Sequence, residues 1–375
     1  MEKIALQAYN QQYVSADLNK GGILVANRNE IKEWETFELI DRGNDRVALK
    51  AANVQYLSAE GGGGGSVLAN GNEIKEWETF ELIDRGNGQV ALKAANGQYL
   101  SAEGGGGGSV LANGNEIKQW ETFSITNILP RQQVWSDEFE VIDESVWSFE
   151  VGGEGWGNNE LQYYTNGQNA FIEFDPQVDS KVLVIEARQE TPPGSSCWYD
   201  GDCQYSSTRL ISKNKKSFQY GRIEAKIKLP QTQGIWPAFW MLGDNFDRVG
   251  WPECGEIDIM EHIGSKPTIT SGALHGPGYS GDTPFFGTYD LGVGVDADYH
   301  IYAIEWDTNG IRWFVDDTQF YSVTRTQVEQ QGTWVFDQPF WLLLNVAVGG
   351  TLPGNPDNSS SFPQRMYVDY IRIYQ

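Results

Sequence analysis

Apolar and polar residues alternate in short runs along most of the chain, as in Gly221–Leu229 (GRIEAKIKL), His300–Trp306 (HIYAIEW), Ile311–Asp316 (IRWFVD) and Tyr367–Tyr374 (YVDYIRIY). A two-residue period turns one face of a segment to a core and the other to water, so these runs predict β-strands. Leu183–Arg188 and Phe340–Val348 add two more. Long amphipathic helices are not evident. The 43 Gly, 14 Trp, 17 Tyr and 17 Phe agree, because glycines supply turns and aromatic residues favour sheets. From residue 134 to residue 375 no helical stretch separates the strands, which predicts a large antiparallel sandwich rather than a βαβ fold.

Before that point the pattern repeats three times with a period of 43 residues, beginning at Ile4, Val47 and Val90. Each copy continues through a variant of VLANGNEIKEWETFELI and ends near Ile40, Ile83 or Ile125. Three β-rich units without a fourth predict closure with pseudo-threefold symmetry, since an open array would need capping units. A β-trefoil over residues 1–126 is the expectation. The runs Gly61–Gly65 and Gly104–Gly108 have linker composition, but they fall in phase with Leu18–Gly22 and so read as hairpin loops. Trp34, Trp77 and Trp120 also recur in phase, either as three sugar-stacking residues or as core residues packed with Phe37, Phe80 and Phe123. The near-invariance of the surrounding phrase favours the core. Residues 127–133, with one proline and no Gly/Ser tract, form a short join expected to keep the two domains close.

A length of 375 residues suits two or three domains, each with its own core. The formal charge of -24 argues against nucleic acid or an anionic membrane as partner, because phosphate binding needs clustered Lys and Arg. Cys197 and Cys203 stand six residues apart in a loop-like stretch and could close a disulfide ring, while Cys254 is left over. No apolar run approaches the ~20 residues of a membrane span. Met1-Glu2-Lys3 does not begin a signal peptide, so a secreted protein would have lost its leader.

The candidate chemistry lies in Glu256-Ile257-Asp258-Ile259-Met260-Glu261. Alternation puts Glu256 and Asp258 on one face and Met260, not Glu261, next to them. Glu261 joins them only if the strand bulges between Asp258 and Glu261. Carboxyls grouped beside aromatic platforms suit glycoside cleavage, with one attacking the anomeric carbon and a protonated one serving the leaving oxygen. A calcium loop is the competing use of clustered acids, but it favours Gly, Asn and carbonyl-rich loops over an apolar strand. No nucleophile-elbow pattern supports a Ser-His-Asp triad.

The stretch Trp251–Glu261 resembles the signature of glycoside hydrolase family 16 in its bulged E-x-D-x-x-E form, and within that family the endo-β-1,3-glucanases, or laminarinases. Gly155–Tyr164 (GWGNNELQYY) and Gly234–Leu242 (GIWPAFWML) agree, and the likeness spans residues 134–375. The "YLSA" and "WETFEL" phrases of residues 1–126 resemble fascin-like trefoils. The first resemblance implies a β-jelly roll with an open concave cleft, a retaining mechanism, Glu256 as nucleophile, Glu261 as acid/base and Asp258 as assisting carboxylate. It also makes Trp236 and Trp240 sugar platforms, with a core role as the alternative for either. Asn158, Arg209, Asn345 and Trp251 match positions that contact sugar or order the acids, although each polar residue among them is also of a kind that closes loops. His275 follows the catalytic strand and can line the cleft. His262, next to Glu261 on the strand, should face away.

Asp369 resembles the family's structural calcium ligand; no cofactor is required for the chemistry. The implied partner is β-1,3-glucan. The rival substrates are mixed-linkage β-1,3-1,4-glucan and galactans, with the trefoil either a carbohydrate-binding module or a structural or protein-binding spacer.

Overall fold

A computed structural model describes residues 2–86, 88–128, 132–199, 201–316 and 318–375. The chain divides into two compact units, Met1–Pro130 and Arg131–Gln375. Strand Phe123–Ile128 still belongs to the first unit and Gln133–Asp137 to the second, so the expected join contracts to a few residues. Its middle, 129–131, lies outside the described residues.

In the first unit six strands close into a ring. Glu2–Gln7 pairs with Phe37–Gly43 and Phe123–Ile128, Arg46–Lys50 with Phe37–Gly43 and Phe80–Gly86, and Gln89–Lys93 with Phe80–Gly86 and Phe123–Ile128. Three hairpins complete it: Tyr13–Asp17 with Ile23–Arg28, Tyr56–Ala59 with Val67–Gly71, and Tyr99–Ala102 with Val110–Gly114. The hairpins bond to one another in a circuit, Ala26 N–H to Gly108 O at 2.7 Å, Ala69 N–H to Gly22 O at 2.7 Å and Ala112 N–H to Gly65 O at 2.8 Å. Closure removes the open edges that a three-unit array would expose. Phe37, Phe80 and Phe123 are fully buried at the centre with Leu6, Leu49 and Leu92.

The glycine runs are ordered loops of the hairpins, and their lack of side chains is a packing requirement. A Cβ on Gly63 would lie 2.2 Å from the Asn96 amide oxygen, and one on Gly106 would lie 2.0 Å from that of Asn10, so each run seats the next repeat's loop. The in-phase tryptophans are not core. Trp77 and Trp120 are 45% and 44% exposed and Trp34 is half-buried, which corrects the packing expectation. Their indole edges lie against Gly62 and Gly105 of the loops, where a β-carbon would come within 3.4 and 3.2 Å.

The invariant phrase has a different origin. Glu35, Glu78 and Glu121 are buried and accept the N–H of Lys32, Lys75 and Lys118, while Thr36, Thr79 and Thr122 donate to the same lysines' carbonyls. These bonds satisfy a turn that carries no ladder of its own.

The second unit is a sandwich of two sheets with all their strand pairs antiparallel. One has the order Ala170–Asp175, Ser180–Ala187, Gln364–Tyr374, Gly221–Lys228, His300–Asp307, Gly310–Val315, Thr318–Thr324, with Gln133–Asp137 also on Gln364–Tyr374. The other has the order Ser148–Glu150, Arg209–Ile211, Phe340–Val348, Ile235–Gly243, Glu256–His262, Ile269–His275, Phe285–Asp290. Between them lies one core to which Ile223, Ile227, Ile304 and Ile371 contribute from the first sheet and Phe239, Met241, Ile257 and Leu344 from the second. Alternation in Ile235–Gly243 sends Ile235, Phe239 and Met241 into this core and leaves Trp236 and Trp240 half-buried on the far face. Among the described residues the only α-helices are the short Phe246–Val249 and Arg325–Glu329.

Candidate active site

The strand Glu256–His262 lies between Ile235–Gly243 and Ile269–His275. Asp258 stands opposite Ala273 and Glu261 opposite Ser271, so Ile259 and Met260 together face one residue, Gly272. On the other side Trp240 opposes Asp258 and Phe239 opposes Met260, which leaves Ile259 as the extra residue. This is the bulge that the phase of the acids demanded. Its driving force is apolar: Ile257, Ile259 and Met260 are all buried in the sandwich core, and only a bulge lets two consecutive side chains go there. Glu261 is thereby returned to the face of Glu256 and Asp258. His262 is buried with Nδ1 2.8 Å from the Ile269 carbonyl, away from the acids.

The three carboxyls are crowded and poorly solvated. Asp258 is 4% and Glu261 9% exposed. Burial pushes all three up, and the charge of Asp258 raises Glu256 and Glu261 further. Two groups favour the ionised form of Glu256, the imidazole of His275 and the guanidinium of Arg209. His275 Nε2 lies 3.2 Å from Asp258 Oδ2 and 3.7 Å from Glu256 Oε1. The cause is register, since His275 is the cross-strand partner of Glu256. Trp236 Nε1 donates to Glu261 Oε1 at 3.1 Å. Asp258 thus lies beside a histidine with no hydrogen bond to its Oδ2 among the described residues, whereas Glu261 accepts one from an indole, and the members of the set are not equivalent.

Glu256, Asp258 and His275 also bring three donor atoms within 4.8 Å of one another, the one such cluster among the described residues. A cation there would cover the Glu256 carboxylate.

Around the acids, polar groups that the sequence suggested for sugar contact are committed to one another. Trp240 Nε1 donates to Asn345 Oδ1 at 2.7 Å, and Asn345 Nδ2 contacts the Tyr164 hydroxyl at 3.1 Å. The Tyr164 hydroxyl donates to Glu160, which also accepts from Gln162 and Asn158. Arg209 forms an ion pair with Glu150 at 2.6 Å and lies over the rings of Trp156 and Trp240 at 4.9 and 4.8 Å. Asn345, Asn158 and Arg209 thus fix the pose of Trp240 and of the Gly155–Glu160 turn. Trp251 is 45% exposed with its ring 6.1 Å from that of His275, at the margin of the acid set. Trp156, Tyr164, Glu160 and Glu150 were not singled out from the sequence. The phrase Gly155–Tyr164 contained three of them, but its partner strands were not visible.

Cys197 and Cys203 are disulfide-bonded, and the loop they close is tied to the same turn by Trp198 Nε1 donating to the Glu160 carbonyl at 2.7 Å. Asp369 lies on the other sheet. Ser180 donates to one of its oxygens at 2.6 Å and the Lys226 ammonium pairs with the other at 2.9 Å. A lysine thus already neutralises that carboxylate, and side chains alone do not build a calcium shell there.

A two-sheet sandwich with a carboxyl triad on a bulged strand, flanked by tryptophans, defines a glycosidase. The profile of glycosyl hydrolases family 16 matches residues 149–372, and the chain belongs to that family. A domain of unknown function, DUF7910, matches residues 3–100. The chain is 41% identical over 256 residues to a β-glucanase of Rhodothermus marinus, covering 64% of this chain and 84% of that protein. It is 36% identical over 265 residues to glucan endo-1,3-β-glucosidase A1 of Niallia circulans, covering 64% of this chain but only 37% of that longer protein. The catalytic domain of the Thermotoga maritima laminarinase superposes with a TM-score of 0.61 at 47% identity, over 65% of this chain and 98% of that one. The second unit is accordingly a β-jelly roll of this enzyme class.

Burial of the acids sets the sign of a pH effect. Each is pushed up to about 8, so between the unfolded carboxyl range near 4 and that value the folded protein holds protons the unfolded chain has released. Stability should fall as pH rises through this window. Calorimetry from pH 5 to pH 9 should show a declining Tm, and Glu256→Gln should flatten the decline, with about 2–4 °C recovered at the alkaline end per kcal/mol relieved. A Glu256→Gln curve parallel to that of the parent would remove this residue from the coupled set.

Proposed function

We propose that this protein hydrolyses β-1,3-linked glucan at internal bonds with retention, Glu256 being the nucleophile and Glu261 the acid/base. The observation that carries this reading is the bulge, which puts both glutamates and Asp258 on one face. His275 favours the ionised form of both glutamates, but the permanent cation Arg209 acts on Glu256 and not on Glu261, so Glu256 suits attack on the anomeric carbon. Glu261, buried and raised, holds a proton at neutral pH and can pass it to the glycosidic oxygen as that bond breaks. A water then enters, Glu261 takes its proton, and the sugar leaves Glu256 with its original anomeric configuration. Asp258, beside His275, raises the proton affinity of both glutamates when it is charged, so the three titrate as one coupled set. Trp236, Trp240 and Trp251 offer ring faces for glucose units on either side of the acids. Secretion accords with the Cys197–Cys203 bond, which persists in an oxidising compartment.

Glu256→Gln and Glu261→Gln should each lower kcat on a β-1,3-glucan oligosaccharide by several orders of magnitude with folding intact. Comparable activity of either variant would remove its residue from the assigned role. Reducing-end assays on laminarin, lichenan and agarose decide the substrate; preference for lichenan or agarose would replace the β-1,3-glucan reading by its rivals.

The first unit, closed in three repeats, is read as a trefoil that binds the same polymer. The support is a concavity of about 1000 Å³ beside Trp120, lined also by Tyr9, Gln11, Arg85 and Gln89. Tyr9 and Trp120 are both about half exposed, and Tyr9 is replaced in phase by Ala52 and Ala95, so the three copies are not equivalent. In full-length Glu256→Gln protein, Trp120→Ala should reduce retention on insoluble β-1,3-glucan several-fold; unchanged retention would leave the unit a spacer.

Calcium at Asp369 would have to displace the Lys226 ammonium and recruit backbone carbonyls. If it binds, excess chelator should lower Tm and leave kcat at 25 °C unchanged. An identical melting curve in chelator would remove calcium from the structure.

A further inference from the structure

A bulge interrupts the hydrogen-bond ladder of its strand, so something outside the ladder must hold it in one conformation. Here the carbonyl of Asp258, at the point where register is lost, accepts a hydrogen bond from the indole Nε1 of Trp313 at 2.8 Å. Trp313 belongs to strand Gly310–Val315 of the opposite sheet, is fully buried, and points inward with Ile311 and Val315. Its ring packs on Tyr321 at 5.4 Å.

The reach across the core is possible only because the residue facing the bulge is Gly272. A Cβ there would lie 2.3 Å from Trp313 Cδ1, 2.6 Å from Nε1 and 3.1 Å from the Asp258 carbonyl oxygen. Gly272 is not among the glycines with positive φ, so its backbone does not require glycine. The space does. Nor is the bond a general requirement for burying tryptophan in this protein, because the indole N–H groups of Trp306 and Trp341 are buried without a partner among the described groups.

We propose that Trp313 and Gly272 form a latch that sets the aim of Glu261 from the far side of the core, making Trp313 a positioning residue for proton transfer although it touches no substrate. Asp258 and Glu261 flank the two bulged residues, and rotation of the Asp258 peptide would turn the following side chains. The bond fixes that peptide. Misplacing a proton donor by about 1 Å costs on the order of a hundredfold in rate. The inference rests on the proposed role of Glu261 as acid/base.

The test uses the full-length protein, well below its melting temperature, and two substrates. A β-1,3-glucan oligosaccharide has a poor leaving group that needs protonation by Glu261; the 2,4-dinitrophenyl glycoside of laminaribiose has one that departs unaided. Trp313→Phe keeps a ring and removes the N–H. It should lower kcat on the oligosaccharide by about 10- to 100-fold with KM within about threefold, shift the alkaline limb of the pH profile, and leave the dinitrophenol burst rate within about threefold of the parent's. Equal losses on both substrates, or no loss on the oligosaccharide, would overturn the latch. Glu261→Ala is measured alongside. If it shows no difference between substrates, the assignment of Glu261 fails; if it shows the difference and Trp313→Phe does not, only the latch fails. Should Trp313→Phe not fold, β-(3-benzothienyl)alanine at position 313, which keeps the bicyclic shape without the N–H, carries the same comparison.

Discussion

The constraint on which the active site depends is the parity of a β-strand. Side chains alternate strictly, so two acids five positions apart cannot share a face unless one residue is added between them. In Glu256–Glu261 the addition is Ile259, and the core decides it: Ile257, Ile259 and Met260 are all buried. Burying a side chain of this size is worth about 1.5–3 kcal/mol. Ladder hydrogen bonds disturbed at the bulge cost about 0.5–1.5 kcal/mol each, and less where another donor takes over. Apolar burial thus overrides ladder regularity, and the acids follow from where the apolar residues go.

The opposing cost is electrostatic. Three carboxyls on one small face are each destabilised as anions by loss of water and by one another. The surroundings answer unevenly, with His275 favouring the anions of Glu256 and Glu261 and Trp236 donating to Glu261. Polar residues farther out, Arg209 with Glu150 and Asn345 with Tyr164 and Trp240, leave little freedom for a ring to swing toward the acids. A carboxyl that must keep its proton at neutral pH needs this dryness. The site therefore carries a stability penalty that a surface cluster would not, and the same burial makes it competent.

What was legible in the chain followed from local periodicity. Parity exposed the mismatch at Glu261, whereas the chain left a core role open for Trp236 and Trp240, and it is the structure that places them on the face away from the core. What was not legible depends on which strand lies beside which. Arg209 is the cross-strand neighbour of Asn345, and Asn345 of Ala238, pairings that no spacing in sequence reveals. Hence the chain left open whether Arg209 and Asn345 contact sugar or order the acids, and their partners Glu150, Trp240 and Tyr164 were not visible in it. His275 gained its place from register with Glu256, and Trp313 from the opposite sheet. Long-range geometry of this kind has no local signature.

The repeats of the first unit teach the converse lesson, because there the signal was strong and its cause was misread. Invariance around Trp34, Trp77 and Trp120 suggested packing, but the buried groups are the neighbouring Phe and Glu of each copy, and the tryptophans lie outside. Threefold closure forces the residues that meet at the axis and in the turns to match, since each must satisfy the same geometry three times. The rim is held less strictly: the tryptophans recur there, but other positions do not. Position 9 and its counterparts 52 and 95 are tyrosine, alanine and alanine, and the concavity beside Trp120 is lined where that tyrosine stands. In a symmetric fold, recognition is best sought where the symmetry fails, because the conserved interior is already explained by closure.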